Sequence, residues 1–347
     1  MSDIKIKLAA GTNVGLVRTN NEDNFVASRD LTASDWTIPQ VDEQIDLGEY
    51  GALLVVADGM GGANAGEVAS AIAIETIQTK FVPENLEDAV QSDETILQFM
   101  VDAVKSADIN ILNHSKEDET TMGMGTTIVM AWILGNKAYI CWCGDSRCYV
   151  FNENLGLTRL SKDHSYVQEL VDRGELSPEN AHNHPYSNVI TRCLGDLQNR
   201  AVPDTHIHYL KDGDIFMLCS DGLCGLCVDE EIINVIHDHK DDINECKNEL
   251  ISAALNAGGH DNVTVVMGAV QIENGNGDED NNEEESLDET GKTIRPEIRH
   301  SHKVRNTLLL LVLLLVIVGG VCIYFFNPPL YEQISKFING LFSPEKS

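Results

Sequence analysis

Short apolar runs broken by turn residues share this chain with longer stretches of helical spacing. Ile4 to Ala9, Leu53 to Ala57, Thr126 to Leu134, Lys137 to Cys143, Cys148 to Asn152, Ile215 to Cys219 and Val263 to Val270 are short and partly β-branched, which predicts strands. Gly135-Asn136, between two of them, predicts a hairpin turn. His206 and His208 alternate along a further strand-like segment. Apolar positions recur at helical spacing from Ala63 to Phe81, Glu94 to Asn113, Tyr166 to Arg173, Asp229 to His239 and Asp242 to Asn256. Strands in consecutive runs, with helices before and after, predict an α+β fold of antiparallel sheets covered by helices rather than a doubly wound parallel sheet.

After residue 272 the pattern changes. Glu273 to Thr290 is polar and acidic without a basic residue, too poor in apolar surface to order itself, and predicts a self-repelling linker. Lys292, Arg295, Arg299, Lys303 and Arg305 follow, and then TLLLLVLLLVIVGGVCIYFF, Thr307 to Phe326, without a charge. At the helical rise that stretch is about 30 Å long, one hydrocarbon core, and predicts a transmembrane helix. The basic flank on its N-terminal side places the large domain in the cytoplasm and the tail outside the plasma (inner) membrane. In the tail, Leu330, Ile334, Phe337, Ile338 and Leu341 recur at the spacing of a surface-lying helix, and a loosely ordered tail fits nearly as well. The expected organisation is a domain over 1–272, a linker over 273–306, a span over 307–326 and a tail over 327–347.

Composition narrows the chemistry. The 347 residues are 43% hydrophobic, enough for one large core, and carry a net charge of −31. Such acidity argues against nucleic acid as a partner and is compatible with divalent cations or simply with solubility. There are nine cysteines, and the start MSDIKIKLAAG has no signal-peptide core, so reduced cytosolic thiols are expected. Cys224 with Cys227, and Cys141 with Cys143, do not form paired units at zinc-ribbon spacing and read as small buried hydrophobes.

Carboxylates sit where a sheet protein rarely wants them. Asp58 follows the apolar LLVVA, Asp145 follows AYICWCG, Asp221 follows DIFMLCS, and Asp261 precedes VTVVMGAV; Glu22 and Asp23 stand in VRTNNEDNF. Any one of these is readable as a turn residue. Together they place acids at the ends of several strands, where they repel unless a proton or a cation intervenes. Oxygen-only ligands point to Mg²⁺ or Mn²⁺ rather than zinc. DGMGGANAG lacks the GK[ST] end of a P-loop and does not match G-x-G-x-x-G, so its glycines serve a sharp turn and a carbonyl offered to an ion. Arg18 fits phosphate binding and a structural salt bridge equally.

GLVRTNNEDNF, VVADGMGG, TTIVMAWI, CGDSRCYVF, DHSYVQELVDRGEL, NVITRCLG, FMLCSDGL and GHDNVTVV follow one another in this order. Together they resemble the metal-dependent protein phosphatase family (PPM, type 2C) in its bacterial form, over Leu8 to Val270. The resemblance implies a four-layer α-β-β-α sandwich with a metal cluster at one edge. It implies two Mn²⁺ or Mg²⁺ ions: Asp58 bridging them, Asp221 and Asp261 holding the first, Glu22 and the carbonyl of Gly59 the second, with Asp23 supporting a metal-bound water. Asp145, with Asp221, matches the position of a weaker third ion, Arg18 the phosphate-binding arginine, and Ser165 to about Val189 a mobile flap. A water attacking phosphorus in line would need no side-chain nucleophile. Met60 replaces a histidine found in some members, and Ser187 stands where a basic flap residue is common; the first leaves the leaving-group proton to water or another group, the second bears on substrate preference.

The expected function is a membrane-anchored, monomeric protein serine/threonine phosphatase acting on phosphorylated proteins, such as a Ser/Thr kinase and its substrates. A silent metal-binding phosphoprotein scaffold and a metal-dependent small-molecule phosphatase are the competing readings. The complete acid set speaks against the first, and an open, flap-bordered site would speak against the second.

Overall fold

The computed structural model describes residues 3–36, 43–61, 65–182 and 184–273. Numbered in chain order, its strands are β1 (Asp3–Asn13), β2 (Asn24–Ser28), β3 (Gln44–Asp46), β4 (Ala52–Ala57), β5 (Gly59–Met60), β6 (Gly125–Thr126), β7 (Ile128–Leu134), β8 (Lys137–Cys143), β9 (Arg147–Asn152), β10 (Gly156–Arg159), β11 (Asp204–Tyr209), β12 (Ile215–Cys219) and β13 (Val263–Glu273). The helices are α1 (Ala65–Lys80), α2 (Pro83–Ala89), α3 (Asp93–Glu117), α4 (Tyr166–Asp172), α5 (Pro178–Ala181), α6 (Asp221–Cys224), α7 (Asp229–His239) and α8 (Ile243–Asn256).

One sheet runs β10-β9-β12-β13-β1-β3 and the other β11-β8-β7-β4-β2, with β5 and β6 forming a small ribbon. All pairings are antiparallel. Side chains alternate across a pleated strand, and here the alternation sorts residues into separate cores. On β4, Leu53, Val55 and Ala57 pack with α1 and α3 residues such as Ile77 and Ile111, whereas Leu54 and Val56 pack between the sheets with Leu218 and Val266. β7 and β8 divide in the same way. On the other sheet Met217 and Val265 face Ile236 and Leu250 of α7 and α8, while Phe216 and Val266 face inward. Helix, sheet, sheet and helix therefore stack in four layers, and strands buried on both faces read in sequence as unbroken apolar runs.

Local signals set the boundaries. Ser92 caps α3 by accepting from the Thr95 amide, and the Thr95 hydroxyl accepts from the Ser92 amide in return. Asp242 caps α8 through the amides of Asn244 and Glu245. The strand expected over Thr126 to Leu134 is broken at Thr127, whose amide donates to the Asp58 carbonyl at 2.8 Å instead of continuing a ladder. β13 runs on to Glu273 because β1 pairs with it at every position, from Asn13 opposite Val263 to Asp3 opposite Glu273.

Among the described residues no helix is long and apolar enough to cross a membrane. The expected span 307–326, the tail and the linker beyond Glu273 lie outside the described residues.

Candidate metal centre

Strands of both sheets reach one edge, and each delivers an acid there. Asp58 leaves β4, Asp145 follows β8, Asp221 follows β12, Asp261 enters β13, and Glu22 with Asp23 leads into β2. Their charges act on one another. Asp58 feels Asp23, Asp221, Asp145 and Asp261, and it shares a hydrogen bond with Asp221. Asp23, Asp58, Asp145, Asp221 and Asp261 thus share one field, and Glu22 is coupled to it through Asp261 and Arg18.

The backbone around Asp58 is bolted down by hydroxyls. Its amide donates to Thr127 Oγ1 at 3.1 Å, and its carbonyl accepts from Thr126 Oγ1 at 2.9 Å. Thr127 Oγ1 in turn meets Ser146 Oγ at 2.7 Å, beside Asp145. Gly59 has no room for a side chain: a Cβ there would lie 2.3 Å from the Gly66 carbonyl oxygen and 2.4 Å from that of Glu22. That close approach seats the Glu22 loop against α1, where Ser70 Oγ also donates to the Glu22 carbonyl at 2.7 Å. Asn262 ties the same loop to β13, accepting from the Glu22 amide at 2.8 Å and donating to the carbonyls of Val14 and Asn20. His164 Nδ1 accepts from the Gly144 amide at 3.1 Å and holds the turn before Asp145.

Burial and mutual repulsion govern the ionisation of these acids. Burial pushes Asp23 up to about 7, against two hydroxyl hydrogen bonds that favour its charge. Asp145 is pushed up to about 8 by burial and then by Asp221 and Asp163. Asp58 lies well above the carboxylate range, through burial and then through Asp23 and Asp221, and Glu22 and Asp221 are raised chiefly by burial.

Arg18 donates from Nη2 to Asp261 Oδ2 at 2.8 Å, the salt-bridge alternative for this residue. Its side chain is 50% exposed, so the guanidinium can turn to an arriving anion without crossing the core. A groove of about 870 Å³ adjoins Asp145 and Asp221. Val167 and Val171 of α4 and Pro178 of α5, within the expected flap, line it together with Val228 and Asp229. Arg147 lines it too, held to Asp163 by Nη2 at 2.7 Å and Nε at 3.0 Å.

These residues fit a hard divalent cation. The donor set is oxygen throughout, and the buried Asp23 Oδ1 has no hydrogen-bond partner among the described residues. Neither Asp58 nor Asp145 is in a salt bridge with a described residue. Among the described residues no three acidic, histidine or cysteine side chains are placed closely enough to hold a metal ion. The supporting residues Thr127, Ser146, Ser220, Asn262 and Thr264 were not expected from sequence. The available signal was a hydroxyl or amide beside each acid, as in Ser220-Asp221 and Asp261-Asn262, but such residues are common at strand ends.

The family model for Protein phosphatase 2C matches residues 11–263. The serine/threonine protein phosphatase PstP of Mycobacterium tuberculosis is 34% identical over 265 residues, 76% of this chain and 45% of that protein, so the chain spans less than half its length. The serine/threonine phosphatase stp of Listeria monocytogenes is 34% identical over 215 residues, 62% of this chain and 83% of that protein. The crystal structure of the PstP catalytic domain in complex with two manganese ions superposes with a TM-score of 0.61 at 32% identity, covering 77% of this chain and 99% of that one.

Proposed function

Because the chain belongs to the protein phosphatase 2C family, we propose that it is a metal-dependent phosphatase that removes phosphate from serine and threonine in proteins. One observation carries this reading: acids from strands of both sheets crowd a single edge that supplies them too few protein cations. A silent scaffold has no use for the whole set.

Asp58, Asp221, Asp261, Glu22 and the Gly59 carbonyl would hold two Mn²⁺ or Mg²⁺ ions, and Asp145 with Asp221 a weaker third. Ions held there would supply an activated water and offset charge on the phosphoryl oxygens. Arg18 would exchange Asp261 for the phosphate, matching it with two parallel N–H donors. Asp23 offers Oδ1 as a proton acceptor inside the cluster. Side-chain nucleophiles are disfavoured: burial raises the thiols of Cys141 and Cys143 and pushes Cys193 up to about 11, and a hydrogen bond with Cys219, then burial, raises that of Cys224, which keeps them protonated. Met60, in the β5–β6 ribbon, has no proton to give a leaving group, which leaves that role to water or another group. The groove beside the acids is bordered by half-buried Ser187 and exposed Asn188 and Glu230 and suits a peptide better than an enclosed small molecule.

The apolar stretch 307–326 supports a single-pass anchor, with the phosphatase domain cytoplasmic at the inner membrane. Kinases and kinase substrates at that membrane are the proposed partners of a monomeric enzyme, and the acidic linker would give it reach. Recovery in the membrane pellet, lost when 307–347 is removed, checks the anchor.

Phosphate release from a phosphothreonine peptide by the purified protein tests the activity. Release that requires Mn²⁺ and disappears in Asp221→Asn is expected. A wild-type protein that binds Mn²⁺ tightly yet releases nothing would return the reading to a scaffold.

A further inference from the structure

The carboxylate of Asp23 is gripped through one oxygen. Oδ2 accepts from Ser220 Oγ at 2.7 Å and from Thr264 Oγ1 at 2.7 Å, while Oδ1 is buried without a partner among the described residues. Ser220 and Thr264 are both 0% exposed. Ser220 directly follows β12, and Thr264 stands near the start of β13, so one donor comes from each of two neighbouring strands.

The protons in this network can be assigned. Asn21 Oδ1 accepts from the Asp23 amide at 3.2 Å, which turns Asn21 Nδ2 to Thr12 Oγ1 at 2.8 Å. Thr12 lies opposite Thr264 in the β1–β13 register, with the two hydroxyl oxygens 2.7 Å apart. Each hydroxyl has one proton to donate. Thr264 must send its proton to the carboxylate, because two acceptor oxygens at that distance would repel. Thr12 then donates to Thr264. Ser220 Oγ, accepting from the Thr264 amide at 3.0 Å, likewise sends its proton to Asp23. The donor direction therefore runs from Asn21 through Thr12 and Thr264 to Asp23. Contacts of about 2.5–2.7 Å are those of a hydroxyl donating to an ionised carboxylate.

An aspartate's terminal torsion is broad, and among repelling acids nothing intrinsic would keep one oxygen forward. We propose that Thr264, backed by Thr12 and Asn21 and working beside Ser220, is a positioning residue. It locks Asp23 in the orientation that leaves Oδ1 as the free acceptor, in a carboxylate that feels the charges of Asp58, Asp221 and Asp261. The inference deepens the phosphatase reading and rests on it for its effect on turnover. A hydroxyl that merely satisfied the start of β13 would alter stability alone.

The test compares Thr264→Val, which keeps the shape and removes the donor, with Thr264→Ser, which keeps the donor, in the full chain. Steady-state kinetics on a phosphothreonine peptide and Mn²⁺ calorimetry are read together. Thr264→Val should lose about 10–100-fold in kcat with KM little changed, and should weaken Mn²⁺ binding within the same range. Thr264→Ser should recover both to within about three-fold, and Thr12→Val, at an exposed position, should move both in the same direction by less. Wild-type values of kcat and Mn²⁺ affinity in Thr264→Val, or equal impairment in Thr264→Ser, overturn the proposal. Should Thr264→Val not fold, unchanged values in Thr12→Val overturn it. Absence of turnover in the wild type would sink the phosphatase reading instead, and the Mn²⁺ series would still decide the role of Thr264.

Discussion

Asp108 is buried and Asp58 half-buried, and the two aspartates live in opposite surroundings. Asp108, on α3 and 1% exposed, accepts from the Gly195 amide at 2.9 Å, Arg200 Nε at 2.8 Å and the Ala201 amide at 3.4 Å. Its charge is answered by the protein, and it ties the segment that follows the flap to the helical layer. Asp58 meets four other acids and no salt-bridge partner among the described residues. Depth alone does not mark a functional acid; the accounting of its partners does. Where the protein answers the charge the acid is structural, and where it does not, a ligand is implied.

Neutralising each acid should break the likeness between them most sharply. Asp58→Asn or Asp221→Asn should cut phosphate release by roughly a thousand-fold, several kcal/mol of lost metal assistance, while the melting temperature in chelator holds or rises because a repelling charge is gone. Asp108→Ala should do the reverse. Stranding the buried amides of Gly195 and Ala201 should cost about 1–3 kcal/mol in denaturant unfolding, with activity per folded molecule kept.

pH sharpens the contrast further. A carboxyl whose folded pKa lies above its unfolded value gives stability that is complete below the unfolded value and is lost as pH rises through the folded one. With Asp23 at about 7 and Asp145 at about 8 against an ordinary 3.8, the chelated protein should grow steadily less stable from acid conditions up to pH 8. A melting series should show a fall of roughly a few degrees, erased by saturating Mn²⁺. A flat series in chelator would mean that these acids are compensated by the protein after all. Least in size, Arg18→Ala should raise KM by about ten-fold, and Arg18→Lys should recover only part, since an ammonium cannot replace the two-pronged fork.

The layers were legible because apolar runs such as Leu53 to Ala57 and Ile215 to Cys219 are long, β-branched in part and bounded by turns. Which face of β4 meets the helices was not, because a strand buried on both sides shows no alternation to read. β2, β3 and β10 escaped notice as short, mixed segments at or near the sheet edges, and the four-residue helices α5 and α6 are too brief to show a period. At the site the strand-end acids announced themselves, since a carboxylate closing an apolar run is costly and visible. The hydroxyls that hold them did not. Thr127 and Thr264 look like ordinary strand threonines until the two sheets bring Asp58 and Asp23 against them.

The full-length pairing of β1 with β13 also orders events during synthesis. Lys5 and Glu273, joined across that pair, stand 268 positions apart in the chain. β1 must wait for β13, made much later, and β13 lies between β12 and β1 in its sheet. Until it emerges from the ribosome, that sheet is split in two with raw edges on both sides, and neither Asp261 nor Thr264 has reached the other acids. Closure over such a separation is slow, and unpaired edges invite aggregation while it is pending. A stalled or shortened nascent chain would therefore be both inactive and a substrate for quality control, and no half-active intermediate should accumulate.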